Sequence, residues 1–203
     1  MTGYRERKKQ RTFNEIVAVA AEMFREAGYE ATTIEAVAAE AGVSPGTVYN
    51  YFGTKNAILM AVVTADTEKA LADSGSSADP SAGTAVDAVM PHIETYVNAM
   101  AAWGRDVLRA LLVVSLDPAQ SSMLDELVTL DERIIGQFGE VLADLQVRGL
   151  VKADVDVAAA SLIVYSTVAV GIMMYIAYPE QTPEDMMALI RGQLSLAFDG
   201  IGA

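Results

Sequence analysis

The sequence predicts an all-α fold of about nine helices, with a three-helix helix-turn-helix domain at residues 1–53 and a larger helical domain at residues 54–203. Two observations support this prediction. Apolar residues recur at steps of three and four with no strand-like alternation, and only six prolines interrupt a chain rich in Ala, Leu, Met and Glu. A chain of 203 residues is also long enough to bury the cores of one small and one larger domain.

Residues 32–59 predict two short helices around a tight turn, followed by the start of another helix. The small side chain of Ala38 lets the next helix cross close to the backbone. Gly42 follows the last periodic residue, where a helix ends well on a residue that tolerates positive φ. The predicted buried stripe consists of Ile34, Val37, Ala38 and Ala41.

The second short helix is predicted from Pro45 to Phe52, with Ser44 as its side-chain cap. It is too short to be stable alone. We therefore expect Val48 and Phe52, four residues apart, to hold it against the core. The residues expected to face outward are Thr47, Asn50 and Tyr51.

Other elements follow from caps and breakers. Thr12 and Glu15 form a capping box for the first helix, and Thr54 caps a helix that runs to about Ala72. The expected buried face of the first helix is Phe13, Ile16, Val17, Ala20, Phe24 and Ala27. Residues 73–83 are polar, turn-rich and expected to be mobile. Further helices are predicted at 84–103, 105–115, from Asp117-Pro118 to Arg148, 156–178 and 183–200.

The net charge of −13 is unevenly distributed. Residues 1–56 carry seven Lys/Arg and seven Glu, so the whole excess of acid lies beyond residue 56. Five basic residues precede the predicted first helix: Arg5, Arg7, Lys8, Lys9 and Arg11. This arm is suited to lie along phosphates or in a minor groove, and the alternative is a solubilising tail.

Composition excludes several classes of site. Cysteine is absent, which rules out disulfides and thiolate metal sites, and the single histidine, His92, is expected at the surface or as a cap. No catalytic, phosphate-loop or metal-binding motif occurs. We therefore expect no enzyme activity, no catalytic residues, no metal and no cofactor. No signal-peptide pattern occurs, which predicts a cytoplasmic protein.

The strings AGVSPGTVYNYFGTK and FREAGYEATTIEAVA closely resemble the DNA-binding signature of the tetracycline-repressor (TetR) family. The resemblance runs from about Thr12 to Leu59, and the rest of the chain resembles the family only in length and helical character. It implies a bacterial, ligand-responsive transcriptional repressor that binds palindromic double-stranded DNA as a homodimer and is released by a small hydrophobic effector. On spacing alone, an ordinary αα-hairpin stays the alternative.

The resemblance assigns DNA-binding roles to matching positions. Thr33 and Lys55 correspond to phosphate-binding positions, and Tyr49 and Tyr51 to phosphate or sugar contacts. Positions that would face bases are Pro45, Gly46, Thr47 and Asn50, next to the cap Ser44. Thr47 is suited to touch a thymine methyl and Asn50 to pair with adenine. Because Pro45 and Gly46 lack side-chain donors, DNA shape is expected to matter.

The resemblance also implies that residues 54–203 bind the effector and dimerise through their last two helices. The expected seam is Leu162, Tyr165, Ala169, Ile172 and Ile176, with plain intradomain core as the alternative. The uncharged run 157–179 is long enough to span a bilayer. Its acidic flanks and its Ser, Thr and Gly content argue against a membrane partner, and a membrane-tethered regulator stays an alternative.

Met and aromatic residues are candidates for an adaptable effector pocket: Tyr96, Met100, Trp103, Met123, Phe138, Tyr165 and Met173. Ordinary core packing is the competing interpretation. Few basic residues lie in apolar stretches, which predicts a hydrophobic effector that is neutral or weakly cationic. A helical enzyme or carrier is the alternative function, although no catalytic constellation supports it.

Overall fold

The computed structural model of the chain describes residues 2–75, 79, 81–116 and 121–201. These residues form nine helices, and no strand occurs among them. The helices are α1 (Thr2–Ala27), α2 (Ile34–Glu40), α3 (Pro45–Phe52), α4 (Lys55–Ser74), α5 (Ala85–Ala101), α6 (Gly104–Ser115), α7 (Ser121–Val147), α8 (Val157–Ala177) and α9 (Pro183–Ile201). The predicted all-α fold is confirmed.

The chain forms two compact units. The N-terminal unit combines Met1–Asp66 with Ala102–Glu126, and the C-terminal unit combines Thr67–Ala101 with Leu127–Ala203. The N-terminal unit therefore contains α6 as well as the first three helices. The predicted division into residues 1–53 and 54–203 concerns separate functional domains, which a grouping by packing does not test, and it stays a prediction.

The core of the N-terminal unit is built from α1, α2 and α3. Its buried apolar residues include Ile16, Val17, Ala20, Phe24, Val37, Ala38 and Val48. The predicted buried face of α1 is therefore largely correct, with Phe13 half-buried at one end. Ala27 was wrongly placed on it and is exposed, because α1 ends there and Gly28 turns the chain with φ of +83°.

The beginning of α1 corrects the predicted arm and capping box. The helix begins at Thr2, so Thr12 does not cap it, and Glu15 instead pairs with Arg11 one turn earlier (Nε to Oε1, 3.4 Å). Residues 4–11 contain neither Gly nor Pro and are mostly good helix formers, which explains the longer helix. The five basic side chains of the predicted arm are exposed on this helical extension.

Two predicted features fall partly or wholly outside the described residues. Asp117-Pro118, the predicted start of the long helix, lies outside them, and α7 is described from Ser121. The predicted mobile stretch 73–83 includes residues 76–78 and 80, which also lie outside them. Its expected mobility stays a prediction.

The C-terminal unit packs α9 against both α5 and α8. Asp156 caps α8 by accepting from the backbone N–H groups of Ala158 (2.9 Å) and Ala159 (3.2 Å). Gly171 lies where α8 meets α9: a Cβ added there would come within 3.0 Å of the side chain of Ile190. Close packing of these two helices thus depends on the missing side chain.

His92 is another correction, because it is buried in α5 rather than placed at the surface or at a cap. Its neighbours Met90 and Ile93 are also fully buried. The position therefore belongs to the core-facing side of α5.

We predict that Gly171→Ala lowers the free energy of unfolding by about 1 kcal/mol, because the new methyl group crowds Ile190, which is fully buried. Gly136→Ala on α7 is the matched control. A Cβ there meets nothing within 4 Å, so helix propensity should raise stability by up to about 1 kcal/mol. Urea unfolding followed by circular dichroism measures both. Equal stabilisation by the two substitutions would contradict this account of the α8–α9 contact.

Candidate nucleic-acid interface

The turn between α2 and α3 has the predicted geometry. Gly42 adopts φ of +66°, and its N–H donates to the carbonyl of Ala39 at 3.2 Å. The next N–H, from Val43, donates to the carbonyl of Ala38 at 2.9 Å. These two bonds close the end of α2 around a left-handed residue, as in a Schellman motif. The chain thus leaves α2 in a fixed direction.

The short helix α3 is capped and clamped. The Ser44 hydroxyl accepts from the N–H of Thr47 at 3.1 Å, and Pro45 begins the helix as predicted. Val48 is 0% exposed, and so is Ala38 on α2. Phe52 is half-buried and stacks on Phe13 of α1, with ring centroids 4.9 Å apart. Two inward side chains four residues apart therefore hold the helix.

The outer face of α3 is short and polar. Pro45, Gly46, Tyr49 and Asn50 are exposed, and Tyr49 has 48% of its surface free. Thr47 is half-buried, with its hydroxyl 2.9 Å from that of Ser44. Asn50 therefore carries the most accessible amide of this face, and Thr47 is less open than predicted.

Tyr51 corrects the prediction that it faces outward. It is half-buried, and its ring lies against Phe13 with centroids 6.4 Å apart. Its hydroxyl donates to the backbone carbonyl of Lys9 at 3.3 Å. Tyr51 thus ties α3 to the basic extension of α1, which spacing within residues 45–52 could not reveal.

Thr33 and Tyr49 lie at the edges of this face. The Thr33 hydroxyl caps α2 by accepting from the N–H of Ala36 at 3.1 Å. The Tyr49 hydroxyl donates to Glu35 Oε1 at 3.4 Å. The Glu35 carboxylate, in the first turn of α2, therefore lies beside Tyr49 of α3.

Lys55 has a structural role that the sequence did not predict. Its ammonium donates to the backbone carbonyls of Tyr29 (3.0 Å) and Glu30 (3.5 Å) and lies 4.1 Å from the centroid of the Tyr29 ring. The Tyr29 hydroxyl in turn donates to Asn56. Burial, and then the charge of Glu30, raises the pKa of Tyr29. The start of α4 is therefore fastened to the α1–α2 turn.

Trp103 lies in the N-terminal unit, where it is buried and hydrogen-bonded. Its indole N–H donates to Asp66 Oδ2 at 2.8 Å, and the same oxygen accepts from Arg25 at 2.6 Å. Met123 also belongs to this unit and is buried. Both residues were predicted to line an effector pocket, but Trp103 serves here as a link between α4, α1 and the start of α6.

The other predicted pocket residues belong to the C-terminal unit. Met100 and Phe138 are buried, whereas Met173 is 54% exposed, because it lies on the outer side of α8. Tyr96 and Tyr165 are half-buried. Asp131 of α7, a carboxylate that the sequence did not point to, lies near enough to Tyr165 to raise the pKa of its hydroxyl.

The pKa values of Tyr96, Asp131 and Tyr165 are all raised above their usual range. Burial raises the pKa of the Asp131 carboxyl, and the hydrogen bond from Tyr165 opposes part of that shift. Burial also raises the pKa values of Tyr96 and Tyr165, and the charge of Asp131 adds to both shifts. The charge of Asp131 therefore influences the pKa values of both tyrosines.

An exposed apolar stripe runs along α8. Its residues follow steps of three and four: Ala159, Ile163, Ser166, Val170, Met173 and Ala177, with Leu162 beside Ile163. The predicted seam is shifted by about one residue from this stripe. Leu162 lies on it, Ala169 and Ile172 flank it half-buried, and Tyr165 and Ile176 are turned into the unit, with Ile176 only 8% exposed.

The helix α8 has the length and apolar composition needed to cross a membrane, and it is the only such helix within the described part of the chain. Buried core helices can meet the same criterion, so the finding is weak support for a membrane span. The apolar stripe of α8 is exposed to solvent, and apolar patches of this kind are typical of interaction surfaces.

Residues 16–62 match the family model described as bacterial regulatory proteins, tetR family. This N-terminal segment belongs to that family. It is 36% identical over 63 residues to the HTH-type transcriptional regulator UidR of Escherichia coli (strain K12), which covers 31% of this chain and 32% of UidR. TcmR of Streptomyces glaucescens is 36% identical over 70 residues, or 34% of this chain and 31% of TcmR. The match spans about a third of the length of these curated relatives.

Solved structures show the TetR-family fold along most of the chain. A transcriptional regulator from Rhodococcus sp. Rha1 matches with a TM-score of 0.68 and 19% identity, covering 93% of this chain and 97% of that chain. FadR of Thermus thermophilus, a TetR-family repressor in complex with lauroyl-CoA, matches with a TM-score of 0.62 and 21% identity, covering 93% and 94%. At these identities the likeness concerns the fold.

We predict that Lys55→Met lowers the free energy of unfolding by about 1–2 kcal/mol, since the Tyr29 and Glu30 carbonyls lose their donor and the Tyr29 ring loses its cation. Lys69→Met, an exposed lysine on the same helix, is the control and should change stability by less than about 0.5 kcal/mol. Chemical denaturation tests both variants. Equal losses of unfolding free energy in the two variants would contradict a role for Lys55 in holding α4 to the α1–α2 turn.

Proposed function

We propose that this TetR-family chain is a ligand-responsive transcriptional repressor that binds a palindromic operator as a homodimer and is released by a small hydrophobic effector. The observation that supports DNA binding most directly is α3, whose outer face is exposed while Val48 beneath it is fully buried. A rigid, protruding helix of this kind fits the major groove. In this proposal residues 1–53 bind DNA and residues 54–203 bind the effector and dimerise, in the cytoplasm.

Base contacts come from the exposed end of α3. Asn50 is placed to form a bidentate pair with adenine, and the Thr47 methyl group touches a thymine. Pro45 and Gly46 let the backbone approach the bases closely but donate no side-chain hydrogen bond. Direct contacts are therefore few, and sequence-dependent shape of the duplex supplies part of the specificity.

Phosphate contacts surround this face. Thr33 and Ser44 place the N-terminal turns of α2 and α3 toward the backbone, and Tyr49 contributes its hydroxyl. A lysine ammonium has three donors, of which Lys55 uses two on carbonyls, leaving one for a phosphate. Tyr51 acts indirectly, because it holds the basic extension of α1 beside α3.

Two separate features support a homodimer. Eight residues of α3 cover too few base pairs for high specificity, so two copies related by a two-fold axis are needed. The exposed stripe of α8 supplies the surface, and Leu196 on α9 adds a further apolar side chain that is 77% exposed. Two such faces pack as a four-helix interface and remove the stripe from water.

We predict that Asn50→Ala weakens binding to a selected operator by about 10- to 100-fold, because one bidentate base contact is lost. Asn98→Ala, at an exposed position of α5, is the matched control and should leave affinity unchanged. The operator is found by selection from genomic fragments and mapped by footprinting, and affinities come from mobility-shift titration. A protected site without two-fold symmetry, or equal affinities of both variants, would count against the proposal.

We predict that Val170→Glu converts the dimer to monomers, since it places a charge in the centre of the stripe. Val147→Glu is the control: Val147 is 88% exposed at the end of α7 and is not part of the stripe, so the substitution should leave the dimer intact. Sedimentation equilibrium in detergent-free buffer measures the mass. A wild-type monomer at micromolar concentration, or recovery of the wild type only with detergent, would contradict a soluble dimer built on this stripe.

A further inference from the structure

The basic extension of α1, residues 4–11, has no direct contact to DNA in the proposed function. It carries five cationic side chains and one carboxylate, that of Glu6, and thus a net charge of +4, so the rest of the chain carries −17. All of these side chains are exposed, and one continuous helix joins the extension to the buried part of α1. The extension is therefore a cationic helix that projects beyond the core.

The cations of the extension lack carboxylate partners within the protein. Arg11 pairs with Glu15 (Nε to Oε1, 3.4 Å), and no carboxylate pairs with the other four cations among the residues that the structure describes. Arg5 and Lys9 lie one turn apart, and like charges at that spacing destabilise a helix. A polyanion bound along the extension would relieve this repulsion.

The packing of α1 defines which side of the extension faces α3. Phe13 begins the core-facing side of α1 and stacks on Phe52 of α3, with ring centroids 4.9 Å apart. Lys9 and Arg5 lie four and eight residues before Phe13, so they continue the same side of the helix beyond the core. On the side of α1 that packs against α3, cations therefore take the place of apolar residues.

Tyr51 holds this side of the extension beside α3. Its hydroxyl donates to the backbone carbonyl of Lys9 at 3.3 Å. That bond leaves the Lys9 ammonium unused, and the side chains of Lys9 and Arg5 are both exposed. Asn50, the exposed amide of α3, precedes Tyr51 in the chain. The basic extension and the outer face of α3 therefore adjoin within one compact unit.

We propose that Arg5 and Lys9 bind backbone phosphates of duplex DNA beside the base pairs that α3 contacts. The two residues are about 6 Å apart along the helix axis, so each side chain binds a separate phosphate. The assignment rests on the proposed function, to which it adds a second contact surface that is independent of base sequence. Duplex DNA is favoured over other polyanions because Tyr51 joins the extension to the exposed polar face of α3.

The test compares two double variants that remove the same charge from the extension. The first, Arg5→Gln with Lys9→Gln, changes the side that faces α3. The second, Arg7→Gln with Arg11→Gln, is the matched control. Its two positions have the same spacing but lie two residues out of step, about 200° around the helix. Glutamine has a helix propensity similar to that of arginine and lysine, so both variants keep the helix.

Affinity for the selected operator is measured on the full-length protein by fluorescence anisotropy over a series of salt concentrations. Each phosphate contact contributes about 0.9 to the slope of log Kd against log salt concentration. A dimer that loses two contacts per protomer should lower this slope by about 3 to 4, and the control variant should lower it by less than about 1. Equal slopes of wild type and Arg5→Gln/Lys9→Gln, or equal reductions in the two variants, would overturn the proposal.

A scrambled duplex of the same length separates phosphate contacts from base contacts. Because phosphates carry no sequence information, Arg5→Gln/Lys9→Gln should weaken binding to both duplexes and change the ratio of the two affinities by less than about twofold. A loss of affinity confined to the operator would indicate base contacts and would overturn the assignment to phosphates.

Folding and a membrane partner are tested on the same preparations. Both double variants should unfold at the wild-type temperature or above it, because repulsion within the extension falls. Phosphatidylserine vesicles test the membrane: if Arg5→Gln/Lys9→Gln abolishes vesicle binding and leaves operator affinity unchanged, the extension binds membranes and the proposal is overturned. Wild type that binds the operator, with equal slopes in both variants, contradicts the role of the extension alone. Wild type that binds no duplex contradicts the proposed function as well.

Discussion

The fixed exit from α2 is the constraint on which the interface depends. Gly42 takes a backbone conformation that costs a residue with a Cβ about 1 kcal/mol or more, and it thereby directs the chain into α3. The small side chain of Ala38 leaves room for α3 to cross α2, and Val48 of α3 is fully buried. An eight-residue helix would not persist in water without these contacts. The exposed side chains of α3 point in a defined direction only because its buried side chains hold the helix against the core.

A second layer of contacts holds the surroundings of α3 in place. Tyr51 joins it to the N-terminal extension, and Lys55 fastens α4 to the α1–α2 turn. Both residues occupy positions that correspond to DNA contacts in the family, yet each side chain donates hydrogen bonds to the protein's own backbone. The positions to which the family resemblance assigns phosphate contacts therefore also hold α3 and its neighbours in place.

Local patterns predicted the helix-turn-helix well, because periodicity, a capping Ser44 and a turn glycine act within a few residues. They predicted less where the outcome depends on distant segments. Tyr165 fits a heptad seam by spacing but turns inward to Asp131, 34 positions earlier in the chain. Trp103 suits a pocket by type but is held by Asp66. The long α1 was missed because a plausible cap at Thr12 outweighed eight residues of helix formers.

The central claim, that α3 is the element inserted into DNA, is tested most directly by nuclear magnetic resonance of the ¹⁵N-labelled protein. Backbone amide shifts are followed while a selected operator duplex is added. We expect the largest changes at the N-terminal turn of α2 and from Ser44 to Tyr51, with the buried amide of Val48 shifting as its helix contacts the groove. Changes confined to other helices, with residues 44–51 unaffected at saturation, would contradict the account.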